Sequence, residues 1–174
     1  MIVIADTTPL NHLILIDQAK ILDTLYGRVV VPSTVLSELQ SQATPPKVKE
    51  WISNRPGWLE VNRTALPADP SLAHLDAGER DAIILAQNLK ADLLLMDDLG
   101  GRREAVRRNL KITGTLTVLY IAAGRGLVED FPAILKQLPQ TGFRASPETI
   151  QLFLDRHAEA LRSEHRQREH GRSI

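Results

Sequence analysis

The 174-residue sequence contains no cysteine, and this absence excludes several kinds of chemistry. Disulfide bonds, thiolate nucleophiles and cysteine-ligated zinc or iron–sulfur centres are all ruled out. The five histidines are scattered and form no recognisable ligand pattern. A metal-dependent site in this chain must therefore use oxygen or imidazole ligands.

Two other common features are missing. No stretch approaches the 18 or more apolar residues of a membrane span, and the N-terminus reaches Asp6 after only five residues without a basic leader. At roughly 150 residues per domain, the length corresponds to one domain with one core. We expect a soluble, cytoplasmic protein that is not associated with membranes.

The sequence also lacks an excess of either charge, because 21 basic residues balance 21 acidic ones. The balance conceals an asymmetry on the two sides of Gly100. The first 100 residues contain 13 acidic and 8 basic residues, and the remainder contains 8 acidic and 13 basic residues. Neutrality therefore excludes a uniformly basic protein but not an acidic pocket beside a basic surface.

Short apolar runs alternate with segments of helical periodicity. Three runs have the composition of strands buried on both faces, at Ile2–Ala5, Val29–Val31 and Leu93–Met96, and Lys111–Ile112 suggests a fourth. The segments between them have apolar residues three and four positions apart. This alternation predicts an α/β fold, a three-layer α/β/α sandwich with a central parallel sheet of four or five strands.

The remaining segments predict loops and a polar C-terminus. Most of the proline lies in Ser41–Lys49 and Pro56–Pro70, which we interpret as irregular surface connections. From residue 156 the sequence keeps helical propensity but loses nearly all large apolar residues after Leu161. We therefore predict a domain over residues 1–155 and a polar helix or tail over residues 156–174.

Acidic residues occur where the predicted strands end. Asp6 follows the first strand directly, and Asp97 and Asp98 follow LLLM. Glu38 lies in the helix after VVVP, and Glu79 and Asp81 lie at the start of another helix. Ligands of open parallel sheets bind beyond the carboxyl ends of the strands, so we expect these acids to converge on one crevice.

Carboxylates brought together repel one another and need a cation to remain ionised. Oxygen ligands without cysteine or paired histidine indicate Mg²⁺ or Mn²⁺, as one or two ions. Such ions bind phosphodiesters, lower the pKa of water and stabilise a departing oxygen. The reaction class predicted by this pattern is metal-dependent hydrolysis.

Each acid also has a structural interpretation. Asp6 can begin an Asx turn, Asp76 and Glu79 have the spacing of a capping box, and one aspartate of the pair at 97 and 98 suffices to cap the next helix. Glu38 can be an ordinary solvated helix residue. The second aspartate of the pair has no such explanation.

A basic run begins directly after the aspartate pair. Arg102, Arg103, Arg107 and Arg108 are candidates for contacts to nucleic-acid phosphates, because Arg103 and Arg107 are four residues apart on a helix that leaves the acidic crevice. The alternative is a solvated helix face with a Glu104–Arg108 ion pair.

Five motifs follow one another along the chain: IADTTPLNHL, VVVPSTVLSEL, LDAGERDAIILA, LLLMDDLGGRREA and ITGTL. Their order resembles that of PIN-domain proteins, most closely the prokaryotic subgroup described as domain of unknown function 3368. The resemblance extends from Ile2 to about Leu154. It implies a parallel sheet between helices and an acidic pocket that binds Mg²⁺ or Mn²⁺. Many such proteins are RNA endonucleases, and those in toxin–antitoxin operons are VapC-type toxins.

The resemblance also assigns the residues of the site. Asp6 and Glu38 match the first two acids of the pattern most firmly. Glu79 matches the third acid of this subgroup, whereas Asp81 matches the corresponding position of other PIN toxins, and both remain open. Asp98 matches the fourth acid, with Asp97 beside it. Thr7 is a secondary candidate for holding water or a phosphate oxygen.

Three functions follow as hypotheses. The first is a metal-dependent endoribonuclease, the toxin of a toxin–antitoxin pair, held inactive by a small antitoxin protein and forming homodimers. The second is a catalytically inactive PIN-like module that binds RNA or protein. The third is a phosphotransfer domain, although DTT after the first strand offers one acid where a haloacid-dehalogenase-type enzyme has two.

Overall fold

The structure is a computed structural model that describes residues 1–171. The chain divides into two compact units, residues 1–115 and residues 116–174. The first contains the whole sheet and every acidic residue predicted for the site. No helix of the described part has the length and apolar character needed to cross a membrane.

The first unit alternates strands and helices as predicted. Its strands are β1 (Val3–Ala5), β2 (Val29–Pro32), β3 (Leu59–Asn62), β4 (Leu93–Leu95) and β5 (Ile112–Thr113). Its helices are α1 (Thr7–Leu15), α2 (Lys20–Tyr26), α3 (Ser33–Leu39), α4 (Pro46–Ser53), α5 (Ala77–Asn88) and α6 (Leu99–Arg107).

All strand pairs are parallel, and the order in the sheet is β3-β2-β1-β4-β5. Successive side chains of a strand point to opposite faces, and all three residues of β1 are fully buried, so both faces of the central strand are covered. The core includes residues of β1, β2 and β4 packed with apolar residues of α5. The predicted α/β fold with a parallel sheet of four or five strands flanked by helices is confirmed.

Two predicted loops were wrong in part. The segment Pro56–Pro70 contains β3, which pairs with β2 at the edge of the sheet. Only Leu59 of this strand is buried, so the sequence LEVN lacks the apolar run that marks the central strands. The segment Ser41–Lys49 contains the start of α4, where Pro46 occupies the first turn, a position that needs no backbone N–H donor.

The second unit is helical. It contains most of α7 (Thr115–Gly124), together with α8 (Phe131–Gln137) and α9 (Pro147–Gly171). Ser146 caps α9, because its hydroxyl accepts a hydrogen bond from the Thr149 N–H at 3.1 Å. The helix continues through the boundary predicted at residues 155 and 156, and residues 172–174 of the predicted tail lie outside the described residues. The predicted division into domain and tail stays a prediction.

Candidate active site at the carboxyl edge of the sheet

The sheet has a topological switch point next to β1. The chain proceeds from β1 outward to β2 and β3, and then returns to the other side of β1 for β4 and β5. The connections that leave β1 and β4 therefore diverge and open a crevice at their carboxyl ends. Asp6 follows β1, and Asp97 follows β4 after one intervening residue, so both lie at this crevice.

Asp6 is 1% exposed, and no residue of the described chain forms a hydrogen bond with either of its carboxylate oxygens. The pKa of Asp6 is raised to about 7, mainly by burial and also by the charges of Glu38 and Asp97. The N–H groups of Thr7 and Thr8 lie close enough to oppose this rise, without hydrogen-bond geometry. A buried carboxylate without partners is unusual and indicates a functional group.

Glu38 is held in place from two directions. The Gly78 N–H donates to its Oε1 at 2.8 Å, and the Thr7 hydroxyl donates to its Oε2. Gly78 is required for this approach, because a Cβ atom at that position would lie 2.9 Å from Glu38 Cδ. The Thr7 hydroxyl thus orients Glu38, and its predicted contact to water or a phosphate oxygen stays a prediction.

Glu79 lies in the first turn of α5, half-buried. Its pKa is raised to about 7, mainly by burial and also by the charges of Asp98, Asp6 and Asp76, while the Asp76 N–H opposes the rise. Asp76 is the N-cap residue of α5, but its side chain makes no capping hydrogen bond. The reciprocal pair of bonds of a capping box is therefore incomplete, although the Asp76 N–H still acts on Glu79.

The two adjacent aspartates have separate structural partners. Asp97 accepts hydrogen bonds from the Thr115 N–H at 2.8 Å and the Thr115 hydroxyl at 2.6 Å. Asp98 caps α6, because its Oδ1 accepts from the N–H groups of Gly100 and Gly101 at 2.6 and 3.3 Å. Each carboxylate is thus oriented by its hydrogen bonds. The charge of Asp97 still raises the pKa of Asp6, and the charge of Asp98 raises the pKa of Glu79.

Asp81 faces a different environment. It forms an ion pair with Arg80, with 3.3 Å between Nε and Oδ1, and it lines a separate cleft beside β3. Its charge is not among the main causes of the raised pKa of Asp6 or of Glu79. The geometry thus favours Glu79 over Asp81 as the third acid of the crevice.

The four predicted RNA-binding arginines are not equivalent. Arg102 donates from Nη1 to the Met96 carbonyl at 2.7 Å, which ties α6 to the end of β4. Arg108 binds Glu104 at 2.9 Å and Asp69 at 2.8 Å, so the alternative ion pair is formed. Arg103 is exposed, and Arg107 is exposed with a weak ion pair to Glu104 at 3.6 Å.

The sequence analysis did not identify Thr115 and Gly78 as parts of the site. Thr115 is fully buried and supplies both donors to Asp97, and Gly78 supplies the donor to Glu38. Thr115 follows strand β5 after one residue. Its position after a strand is the same signal that predicted Asp6 and Asp97, so Thr115 could have been predicted in the same way. Gly78 had no comparable signal, because only the tertiary contact shows why a side chain is excluded there.

The donor chemistry of this set fits a divalent cation. Asp6 offers two buried unpaired oxygens, and the other carboxylates, whose mutual repulsion a cation would relieve, surround it. Among the side chains that the structure describes, no three His, Asp or Glu groups lie in a geometry that could hold a metal ion. The acidic residues therefore fit a divalent cation by their donor atoms and their charge, and not by a preformed ligand geometry.

Comparison with known proteins identifies the class. Residues 2–159 match a family described as a PIN domain, domain of unknown function 3368, so the chain belongs to the PIN-domain family. Proteins of this family are typically nucleases and generally use divalent metal ions. The comparison with curated proteins gives no match.

Among solved structures, the chain is similar to a PilT N-terminus domain protein from the hyperthermophilic archaeon Sulfolobus solfataricus P2. The two sequences are 14% identical, with a TM-score of 0.47. The similarity covers 75% of this chain and 96% of the archaeal chain.

Proposed function

We propose that this PIN-domain protein is an endoribonuclease that depends on Mg²⁺ or Mn²⁺. The observation that carries the proposal is Asp6, a fully buried carboxylate without hydrogen-bond partners at the switch point of the sheet. The charges of Glu38 and Asp97 act directly on it. Such an arrangement is relieved either by protonation, as the raised pKa of Asp6 indicates, or by a bound cation that lets the carboxylates remain ionised.

The residues have distinct roles in this proposal. Asp6, Glu38, Glu79, Asp97 and Asp98 would hold the metal. When bound, the ion supplies Lewis acidity toward water and toward the phosphodiester of the RNA. The hydrogen bonds from Thr7 and Gly78 orient Glu38 before substrate arrives, and those from Thr115 orient Asp97. Such preorganisation reduces the rearrangement needed at the moment of reaction.

We also propose that the protein acts as a VapC-like toxin in the cytoplasm, inhibited by a small antitoxin protein, and that it forms homodimers. Membership of the PIN-domain family supports this role. An antitoxin that occupies the crevice would need a cationic or metal-displacing group opposite Asp6 and Glu79. A small reading frame beside the gene would be expected for such a pair.

Cleavage of RNA by the purified chain tests the nuclease proposal. Structured and unstructured RNAs are incubated with Mn²⁺, with Mg²⁺ or with EDTA, alongside Asp6→Asn. A matched control is Asp23→Asn, which removes a charge paired with Lys20 on α2, outside the crevice. We expect cleavage that requires the metal, is lost in Asp6→Asn and persists in Asp23→Asn. Equal cleavage under all conditions would contradict the proposal.

The second candidate is a PIN-like module that binds RNA or protein without cleaving it. Two observations favour it. The described residues contain no ready-made cluster of three metal ligands, and Asp97 and Asp98 each have a structural partner. Metal-independent RNA binding without cleavage by the wild-type chain would identify this function.

A further inference from the structure

A cleft lies beside the acidic crevice, on the carboxyl side of β2 and β3. It has a volume of about 480 Å³, a size typical of sites for small ligands. Its walls are formed by the segment 62–70, by Ser33 at the start of α3, and by residues of α5. All of these residues belong to the first unit. From the sequence alone, this segment is part of a predicted irregular surface connection.

The rim of the cleft is fixed by Arg108. Its Nη1 donates to Asp69 Oδ2 at 2.8 Å and its Nη2 donates to Ser71 Oγ at 2.7 Å. Asp69 also accepts from the Ser71 N–H at 3.0 Å, and Leu72 is completely buried in the core. These contacts hold the rim of the cleft in place without a bound ligand.

The lining combines an apolar surface with a few polar groups. Leu66, Pro67 and Ile84 supply apolar area, and Asn62 contributes an amide whose Oδ1 accepts from the Thr64 N–H at 2.9 Å. Both acids of the lining are neutralised, since Asp81 is paired with Arg80 and Asp69 with Arg108. The cleft therefore carries no uncompensated negative charge.

Arg63 is the cationic residue of the lining that has no acidic partner. It is exposed, and none of the ion pairs in the described part of the chain includes it. An unpaired cation beside an apolar surface fits a ligand that is both anionic and flat. A nucleotide has this combination, with a phosphate and a base.

The cleft and the crevice share their walls. Glu79 faces the crevice, whereas Arg80 and Asp81, the next two residues of α5, line the cleft. Successive residues of a helix point about 100° apart, so one turn of α5 serves both sites. Ser33 of the cleft and Glu38 of the crevice likewise belong to α3. A chain bound in one site can therefore continue into the other.

We propose that this cleft binds one unpaired nucleotide of the RNA substrate beside the phosphodiester to be cleaved. The base lies against Leu66, Pro67 and Ile84, and the phosphate contacts Arg63. The inference rests on the proposed nuclease function, because it names the part of the substrate that the neighbouring site receives. It implies a preference for single-stranded RNA, since a paired base cannot enter the cleft.

Binding measurements test this proposal without requiring cleavage. Binding of a fluorescent single-stranded RNA, and of its double-stranded form, is measured by anisotropy. The proteins compared are Asp6→Asn and two double variants that combine Asp6→Asn with Arg63→Ala or with Ala73→Phe. Ala73→Phe fills the cleft without changing its charge. The control is Arg55→Ala, which removes the same charge from the residues before β3, at the opposite end of the strand.

We expect each cleft variant to weaken binding of the single strand about fivefold to tenfold, and Arg55→Ala to leave it unchanged. Nucleoside 5′-monophosphates should compete better than inorganic phosphate. Unchanged binding in both cleft variants, or equal competition by inorganic phosphate, would overturn the proposal. If wild-type protein never cleaves RNA while the cleft variants still bind less tightly, the nuclease proposal fails and the cleft assignment stands.

Discussion

The acids at the carboxyl edge of the sheet share one crevice, whereas the arginines of α6 lie in separate environments. The acids come from separate parts of the chain and act on one another, as the raised pKa values of Asp6 and Glu79 show. The arginines are close in sequence but serve different purposes. Arg102 and Arg108 have structural partners, and Arg103 faces solvent.

The difference follows from the geometry of the two elements. Parallel strands end at the same edge, so residues that follow different strands come together wherever the sheet forms. Successive residues of a helix point in different directions, so a basic run on one helix spreads over several environments. Position at a strand end is thus a better guide to a shared site than proximity in sequence.

The largest effect expected is on the pH dependence of stability without metal. The pKa of Asp6 is about 7 in the folded chain and has the ordinary value 3.8 when the chain is unfolded. The folded state therefore binds the additional proton between these values, and its stability falls as pH rises through this range. The unfolding free energy should fall by up to about 1.4 kcal/mol per pH unit.

Denaturant titrations in EDTA at pH 5, 6, 7 and 8 measure this slope. Asp6→Asn should make the slope shallower by the contribution of Asp6 and leave the part due to Glu79, whose pKa is also raised to about 7. Addition of Mn²⁺ at pH 8 should restore stability by binding the folded state. A wild-type slope equal to that of Asp6→Asn would show that the buried carboxylate has no such linkage.

The next effect separates Glu79 from Asp81. Because Glu79 interacts with Asp98 and Asp6 while Asp81 is paired with Arg80, Glu79→Gln should reduce RNA cleavage about 100-fold, equivalent to roughly 2.7 kcal/mol of transition-state stabilisation. Asp81→Asn should reduce it only a few-fold. Single-turnover cleavage rates at saturating Mn²⁺ check this, and the reverse order would place the third acid at Asp81.

A smaller loss of activity is expected from Gly78→Ala. The added methyl group would displace the Glu38 carboxylate and break its hydrogen bond to the Gly78 N–H, so cleavage should fall about tenfold. The melting temperature should not fall with it, because alanine favours a helix by about 1 kcal/mol over glycine. Gly124→Ala, where a methyl group meets open space, is the control. Equal activity in both variants would show that Glu38 needs no fixed orientation.

The smallest effects test the two types of arginine on α6. Arg103→Ala should weaken RNA binding a few-fold and reduce the salt dependence by about one phosphate contact, with an unchanged melting temperature. Arg108→Ala should instead lower the melting temperature by a few degrees, because Asp69, Ser71 and Glu104 lose their common partner. Thermal melts and anisotropy at several salt concentrations distinguish them. An inverse result would make Arg108 the RNA contact.

Much of the fold could be predicted from local patterns. The apolar runs of β1, β2 and β4 are buried on both faces, and such runs are distinctive in sequence. Strand β3 could not be predicted in the same way, because an edge strand needs little apolar surface and this one lies in a proline-rich segment. Its pairing with β2 is a non-local interaction that no short pattern reports.

The candidate site was predictable to a similar extent. Asp6, Glu38, Glu79, Asp97 and Asp98 were named from their positions after strands and from the family resemblance, and the structure gives each of them a contact or a charge interaction in the crevice. The choice between Glu79 and Asp81 could not be made from the sequence. Glu79 and Asp81 are two residues apart on α5, so their side chains leave the helix in different directions. Only the packing of α5 decides which of these directions leads into the crevice.

The sequence by itself determined the class of fold, the absence of cysteine chemistry and the acidic character of the site. These properties depend on residue type and local periodicity, which are present in any stretch of the chain. The tertiary structure decided which charges remain free. Arg108 and Asp81 found partners, Asp6 was buried without one, and the segment 62–70 became the wall of a cleft. These outcomes depend on contacts between residues far apart in sequence, and such contacts exist only after the chain has folded.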